Sequence, residues 1–550
     1  MTLTVADIDR WDPGDVREVF HAAASRAQAA QDAANGLATL PMFESWGGEA
    51  AEAARQAIGR TRADLDAHGR EALAVANAAR SAADEIERIK SELTSVRADA
   101  ELLGMQIDPD TGRVVAGPGF TGTPMEVLLK QQQLQPRVDR IVAEANLVDH
   151  ALAHAIEMAD GTDPIPASPH SSDPEVQAAL NGDVPQDPQQ FEDLWNTLDT
   201  EQKDWLYAHD HSIGNHPGMP WGSADDPGKD HYNRLHLDEL RAANEAELQR
   251  LHDEHPQWGA NPTAPSEQYL QWRRRWDDAT RRHDEYAQVR RALDAPDGMP
   301  RLLGLLDDQG HAAVAVNSPD TARRTATFVP GTGQDLSRLE YSTAKSQEML
   351  QATLRADPTL DPGDVSVVTW MGYDRPMSVI TDAPSTSYAH NGAQALDDFQ
   401  DGLRVTHDDA AVRGASINTV IGHSYGSTVV GAAGLDGHHL DADNVVTVGS
   451  PGVLAGHASD LSLAPGARVF AARAENDIIG IATYASLGPD PMGAGFGAIP
   501  FEAAPGPAGP FGSPTVEAHS SYWSAGNPAL TNMGRIIAGQ TDVTAPTFTP

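Results

Sequence analysis

From Leu302 onward the chain alternates short apolar, β-branched runs with stretches of helical periodicity. The runs are Leu302 to Leu306, Ala312 to Val316, Thr325 to Val329, Val365 to Trp370, Ser416 to Ile421, Val445 to Val448 and Arg468 to Ala472. Helices fit between several of them, notably Ser337 to Ala356 and Gln394 to Leu403. A run that is apolar along its whole length has no face for water, so it suits a strand buried on both sides. Strands joined through helices pair in parallel. The alternation therefore predicts a mostly parallel, doubly wound sheet over residues 298–550.

One junction in this region carries chemistry. Ser416 to Ile421 runs into Gly422-His423-Ser424-Tyr425-Gly426, and a small-residue helix opens at Ser427. Strand, sharp turn and helix form the setting of a nucleophile elbow, which specifies an α/β-hydrolase fold. Ser424 is held in a strained conformation there, and flanking glycines remove side chains that would clash. A serine nucleophile needs a base and an acid, expected in the chain order Ser, Asp or Glu, His. Asp477, in the loop after the Arg468 to Ala472 strand, is the candidate acid, with Glu475 as its nearest rival. His519, ahead of a closing helix at Asn527 to Ile537, is the candidate base; His457 precedes the acid strand and breaks the order, and His423 reads as structural. The oxyanion formed in acyl transfer needs backbone donors. Tyr425, after the nucleophile, supplies one, and Thr332 with Gly333, in the glycine turn after Thr325 to Val329, supplies the other.

The predicted function is cleavage of a carboxylic ester through an acyl-enzyme, on a small-molecule or lipid ester. The alternatives are a secreted interaction or effector protein with an inactive hydrolase domain, or an acyltransferase or amidase on the same triad. No cofactor and no metal is predicted. Cysteine is absent, which excludes disulfides and thiolate sites, and a net charge of −40 opposes binding to nucleic acid or anionic lipid. No apolar stretch is long enough to cross a bilayer. The first residues lack the basic and apolar segments of a cleaved signal peptide, so the chain reads as cytoplasmic or exported by another route. The Gly- and Pro-rich stretch from Ala485 to Pro514 reads as a mobile lid.

Residues 1–160 read as a helical bundle of three long helices. The third starts at Thr123-Pro124 with Glu126 completing a capping box. Asp108-Pro109-Asp110-Thr111-Gly112 reads as a plain turn, since the ligand positions of a calcium loop do not continue. Proline at 164, 166, 169, 174, 185 and 188 marks 161–188 as a linker, and 189–297 is helical again. Arg273, Arg274 and Arg275 are offset by Asp277, Asp278 and Glu285, which gives a salt-bridged helix rather than a nucleic-acid surface. The N-terminal helices offer a surface for a protein partner.

Two family resemblances follow from particular segments. Ser45-Trp46-Gly47-Gly48, a Trp-x-Gly between the first two helices, resembles the small helical-hairpin proteins exported by type VII secretion systems. Residues 189–540 resemble an actinobacterial α/β-hydrolase family. The resemblance rests on Ile213-Gly214-Asn215-His216-Pro217-Gly218-Met219-Pro220 with Asn233, then Phe328 to Gly333, Gly422 to Ser427, Gly449-Ser450-Pro451-Gly452, Gly488-Pro489-Asp490-Pro491 with Phe496-Gly497, and His519 to Tyr522. It implies a serine esterase or lipase with its triad on Ser424, Asp477 and His519.

Overall fold

The computed structural model describes all residues except 1–2, 39–48, 121, 160–168, 170, 172, 224–225, 256–257, 259–266, 295–296, 378–384, 413, 482–486 and 549–550. The chain separates into two compact units, 1–170 and 171–550.

In the first unit, long helices span Pro13–Ala38, Glu49–Leu102 and Pro124–Ala159, preceded by a short one, Val5–Arg10. The last long helix starts as its capping box requires: Glu126 N–H donates to Thr123 Oγ1 at 3.4 Å, and Thr123 N–H donates to the Glu126 carboxylate at 2.7 Å. Between the second and third long helices, β1 (Met105–Ile107) and β2 (Val114–Ala116) form an antiparallel hairpin. Asp108 Oδ1 accepts the Asp110 and Thr111 N–H groups at 3.0 and 2.9 Å, so this turn uses its first acid to satisfy its own backbone. Ile89, Leu93, Val96, Val138 and Ile141 meet Val5, Ile8, Met105 and Val114 in the core of the unit. The Trp46-x-Gly48 motif lies outside the described residues.

The second unit begins inside the stretch read as a linker. Asp173 caps a helix, Pro174–Leu180, whose Val176 and Leu180 pack with Phe191, Trp195 and Tyr232. The prolines break the segment at both ends, and proline at the first helical position is compatible with the turn they enclose.

The sheet contains β3 (Arg301–Leu306), β4 (Ala312–Val316), β5 (Arg324–Val329), β6 (Val365–Met371), β7 (Ile417–His423), β8 (Asn444–Val448), β9 (Arg468–Ala472) and β10 (Ile499–Pro500). Its order is β10-β9-β8-β7-β5-β6-β4-β3; β4 runs antiparallel to both neighbours and every other pairing is parallel. Alternation along the strands splits their side chains between two cores. Val420 and Val445 face the Ser387–Val405 and Tyr425–Ala432 helices, whereas Ile421 and Val446 face the Leu339–Ala356 and Pro528–Ile537 helices.

β3 is an edge strand, and side chains occupy its free side. Asn215 accepts from Leu306 N–H at 2.9 Å and donates to Leu306 O at 2.8 Å. Asp230 accepts from Leu303 N–H at 2.7 Å, Asn233 donates to Leu303 O at 3.3 Å, and Arg234 donates to Arg301 O at 2.6 Å. Asn233 also donates to Gly214 O at 3.1 Å. The Ile213-Gly214-Asn215 motif and the Lys229–Glu254 helix thus stand where another strand would, closing an edge open to pairing.

Candidate active site

β7 ends at His423 and the next helix starts at Tyr425, leaving Ser424 to turn the chain by itself at φ 55°, ψ −132°. That φ is unfavourable for a residue with a Cβ and holds the serine at the sharp bend between strand and helix. A Cβ on Gly422 would meet the Ser427 backbone, and one on Gly426 would overlap Val329 O, so neither flank accepts a side chain. Ser424 makes no side-chain bond to cap its helix, so helix N–H groups do not consume its hydroxyl.

Ser424 N–H donates to Val448 O at 2.9 Å, which places the serine beside Gly449 at the ends of adjacent strands. A Cβ on Gly449 would lie 2.9 Å from Asp477 Oδ2 and 3.1 Å from the His519 ring. All three predicted triad residues therefore gather at the C-terminal ends of β7, β8 and β9, where open α/β sheets hold their ligands. His519 Nδ1 lies 2.9 Å from each Asp477 oxygen. Among the described residues no hydrogen bond joins His519 to Ser424, a contact that often tightens only with substrate present.

The Asp477 side chain is fully buried. Its Oδ1 accepts from Ile479 N–H at 2.8 Å, and its Oδ2 accepts from the Tyr522 hydroxyl. That hydroxyl in turn accepts from Ala474 N–H at 3.0 Å. Burial, with Asp477 beside it, pushes the Tyr522 phenol well above its ordinary value, so it stays protonated and donates. Glu475, the rival acid, takes no part in the contact with His519. His457 instead caps a 3₁₀ turn at Ala458–Asp460 through its bond to Ser459.

His423 is structural, with a definite task. Its Nε2 donates to His519 O at 2.9 Å, and its ring stands edge-on to Trp523 at 4.9 Å between centroids. Burial, then the His519 and Lys345 charges, holds His423 well below the usual imidazole range, so it is neutral. Lys345 is buried below the rings of Trp523, Tyr341 and Phe328, with Nζ 4.3, 4.8 and 5.8 Å from their centroids. Burial brings its ammonium down to about 8.

The loop after β5 requires a correction. Gly333 N–H donates to Pro376 O at 2.9 Å, so this predicted oxyanion donor is already committed. Gly331 makes the closest approach instead; a Cβ there would lie 2.7 Å from Ser424 Cβ and 2.8 Å from Tyr425 N. Among the described residues neither the Gly331 nor the Thr332 N–H has a backbone acceptor, so they remain the loop's candidates beside the Tyr425 N–H, in a helical first turn that has no intrahelical acceptor.

The lid expectation also changes. Leu487, Met492, Phe496, Phe501 and Ala503 are buried, Arg473 pairs with Asp490, and Asn476 binds the Pro505 and Gly506 carbonyls. Glycine and proline shape a packed loop over 487–506; beyond it Phe511 is fully exposed with φ 59°. Sequence reasoning missed Tyr522, Gly331 and Lys345. Tyr522, three residues past His519, and Gly331, inside the glycine turn after β5, carry a positional signal; Lys345 carries none.

Residues 41–185 match the family model described as uncharacterised protein Rv0964c. Among curated relatives, the Mycobacterium tuberculosis uncharacterized protein Rv2079 is 33% identical over 264 residues, 43% of this chain and 38% of that protein. The Mycobacterium bovis uncharacterized protein Mb0988c is 34% identical over 161 residues, 28% of this chain and 57% of that protein. The chain thus spans less than two thirds of the length of either. Solved structures that resemble it include the esterase LipW from Mycobacterium marinum (12% identity, 48% of this chain and 88% of that one, TM-score 0.30). Another is a hyperthermophilic esterase from Pyrobaculum calidifontis (12% identity, 53% and 96%, TM-score 0.26). Residues 307–489 match the model of an α/β-hydrolase family, and the sheet they help to build has the α/β-hydrolase fold.

Proposed function

We propose that the chain is a serine hydrolase that cleaves carboxylic esters through an acyl-enzyme. The observation that carries this reading is His519 set against both Asp477 oxygens beside a serine held at positive φ. In the proposed sequence His519 Nε2 takes the proton from Ser424 Oγ as the oxygen attacks the ester carbonyl. The buried Asp477 carboxylate stabilises the imidazolium and fixes the tautomer with the proton on Nδ1. The Tyr425 N–H and the Gly331–Thr332 loop hold the oxyanion. The imidazolium then protonates the leaving alcohol, and water repeats the cycle on the acyl-enzyme.

Met377, Ile478 and Val516 are exposed apolar side chains close in sequence to Pro376, Asp477 and His519. Their exposure supports an apolar ester, whose binding would bury part of that surface.

The test is labelling of the purified protein by a fluorophosphonate probe, alongside hydrolysis of p-nitrophenyl esters of graded chain length. Labelling and turnover in the wild type, lost in Ser424→Ala and His519→Ala, are expected. A folded wild type that neither labels nor turns over any ester overturns the reading and leaves an inactive hydrolase domain. Faster acyl release to an added alcohol than to water would identify an acyltransferase instead.

A further inference from the structure

We propose a binding site for a Zn²⁺-type transition-metal ion at His211, His236 and Glu239. Nothing in the hydrolase chemistry uses these residues. His211 lies in the turn after the Thr200–His209 helix; His236 and Glu239 lie three residues apart on the Lys229–Glu254 helix and so share one face.

One ligand atom from each residue falls in a group whose members all lie within 4.8 Å of one another. Both Nδ1 atoms approach the same carboxylate oxygen. His211 Nδ1 is 2.6 Å from Glu239 Oε2 and His236 Nδ1 is 3.7 Å from it. Ligands held tetrahedrally at about 2.0–2.1 Å from zinc stand about 3.3 Å from each other, so small shifts of these side chains make the cage.

His236 Nδ1 marks the site as more than a surface ion pair. Among the described residues it is a buried nitrogen with no hydrogen-bond partner, and its side chain is 15% exposed. A buried polar atom without a partner costs free energy, and a metal ion would supply the missing bond. The supports of a ligand set are present as well. The Tyr207 hydroxyl donates to Glu239 Oε2 at 2.8 Å, and its ring stacks on His211 with centroids 5.0 Å apart. Hydrogen bonds of this kind fix ligand orientation. Two imidazoles and one carboxylate form a nitrogen-rich set that suits zinc and its neighbours rather than magnesium or calcium, which take oxygen ligands. The bound ion would join the 210–212 turn to the helix that covers the β3 edge, so its role is to fasten the elements flanking the sheet. This proposal departs from the expectation from sequence that the chain holds no metal.

The experiment is calorimetric titration of the full, tag-free, EDTA-treated chain with ZnCl2, with Tm followed in parallel. One tight equivalent and a rise in Tm reversed by EDTA are expected. His211→Ala and Glu239→Gln, at side chains roughly half exposed and therefore compatible with folding, should each remove that equivalent and the rise in Tm. Tyr207→Phe should weaken binding by about tenfold. Co²⁺ in the wild-type site should give the visible absorption of a four-coordinate ion, absent in Glu239→Gln. A wild type that takes up no tight equivalent overturns the proposal. So does an equivalent retained in both His211→Ala and Glu239→Gln, which would place the binding elsewhere among the histidines.

Discussion

Tyr522 shows how much of the candidate site rests on side chains outside the proposed triad. Its hydroxyl donates to Asp477 and accepts from Ala474 N–H, so Tyr522→Phe removes two bonds in a buried setting. The variant should lose about 1–3 kcal/mol of stability, because the Ala474 N–H is left buried without an acceptor. It should also lower kcat with little change in KM, since the carboxylate that orients His519 becomes free to turn; denaturant unfolding and ester kinetics on one preparation check both. Lys345 makes the complementary case of a buried cation held by aromatic faces rather than by an acid. Its folded value of about 8 lies below the ordinary 10.5. Below pH 8 folded and unfolded chains both carry the proton, and the cost of burying the charge is fully present. Between 8 and 10.5 the unfolded chain binds a proton that the folded chain does not, so stability rises with pH. The wild type should therefore gain on Lys345→Met between pH 7.5 and 9.5 in urea unfolding. The gain should stay below about 3 kcal/mol, with the ring contacts reducing it further.

Among the elements, the edge strand β3 depends on side chains that sit far from it in sequence. Asn233 serves the carbonyls of Gly214 and Leu303 together, from the interior of a helix. Asn233→Ala should cost about 1–3 kcal/mol, read as a lower Tm, while kcat at a temperature well below Tm stays at the wild-type value. A fall in kcat without a fall in Tm would instead give the motif a part in substrate binding. These contacts also explain why the Gly-Asn-His-Pro segment stood out in the sequence although it bears none of the triad. Its spacing was legible, but that its amides replace a missing strand depends on where the Lys229–Glu254 helix packs. The Pro174–Leu180 helix illustrates the opposite limit. Proline density pointed to a linker, and apolar burial against Phe191 and Trp195 overrode it.

For the molecule as a whole, each unit carries its own apolar core, which is the requirement for folding alone. A fragment of residues 171–550 should fold cooperatively and keep the kcat/KM of the full chain. A soluble, folded fragment that has lost turnover would show that the helical unit contributes to the site. Much of this arrangement was readable in advance. Alternating apolar runs determined the two-faced parallel sheet, and the Gly-x-Ser-x-Gly turn determined where a nucleophile could stand, because steric exclusion at Gly422 and Gly426 is a local property of the chain. The chain order of the proposed Ser424, Asp477 and His519 was readable from the positions of the strands before the first two and of the closing helix after the third. Gly333's commitment to Pro376, the Tyr522 bond to Asp477, the aromatic bed of Lys345 and the meeting of His211 with His236 and Glu239 were not. Each depends on the positions of two or more segments distant in sequence, and hydrogen bonds and ligand geometry are decided by tenths of an ångström that only the packed structure supplies.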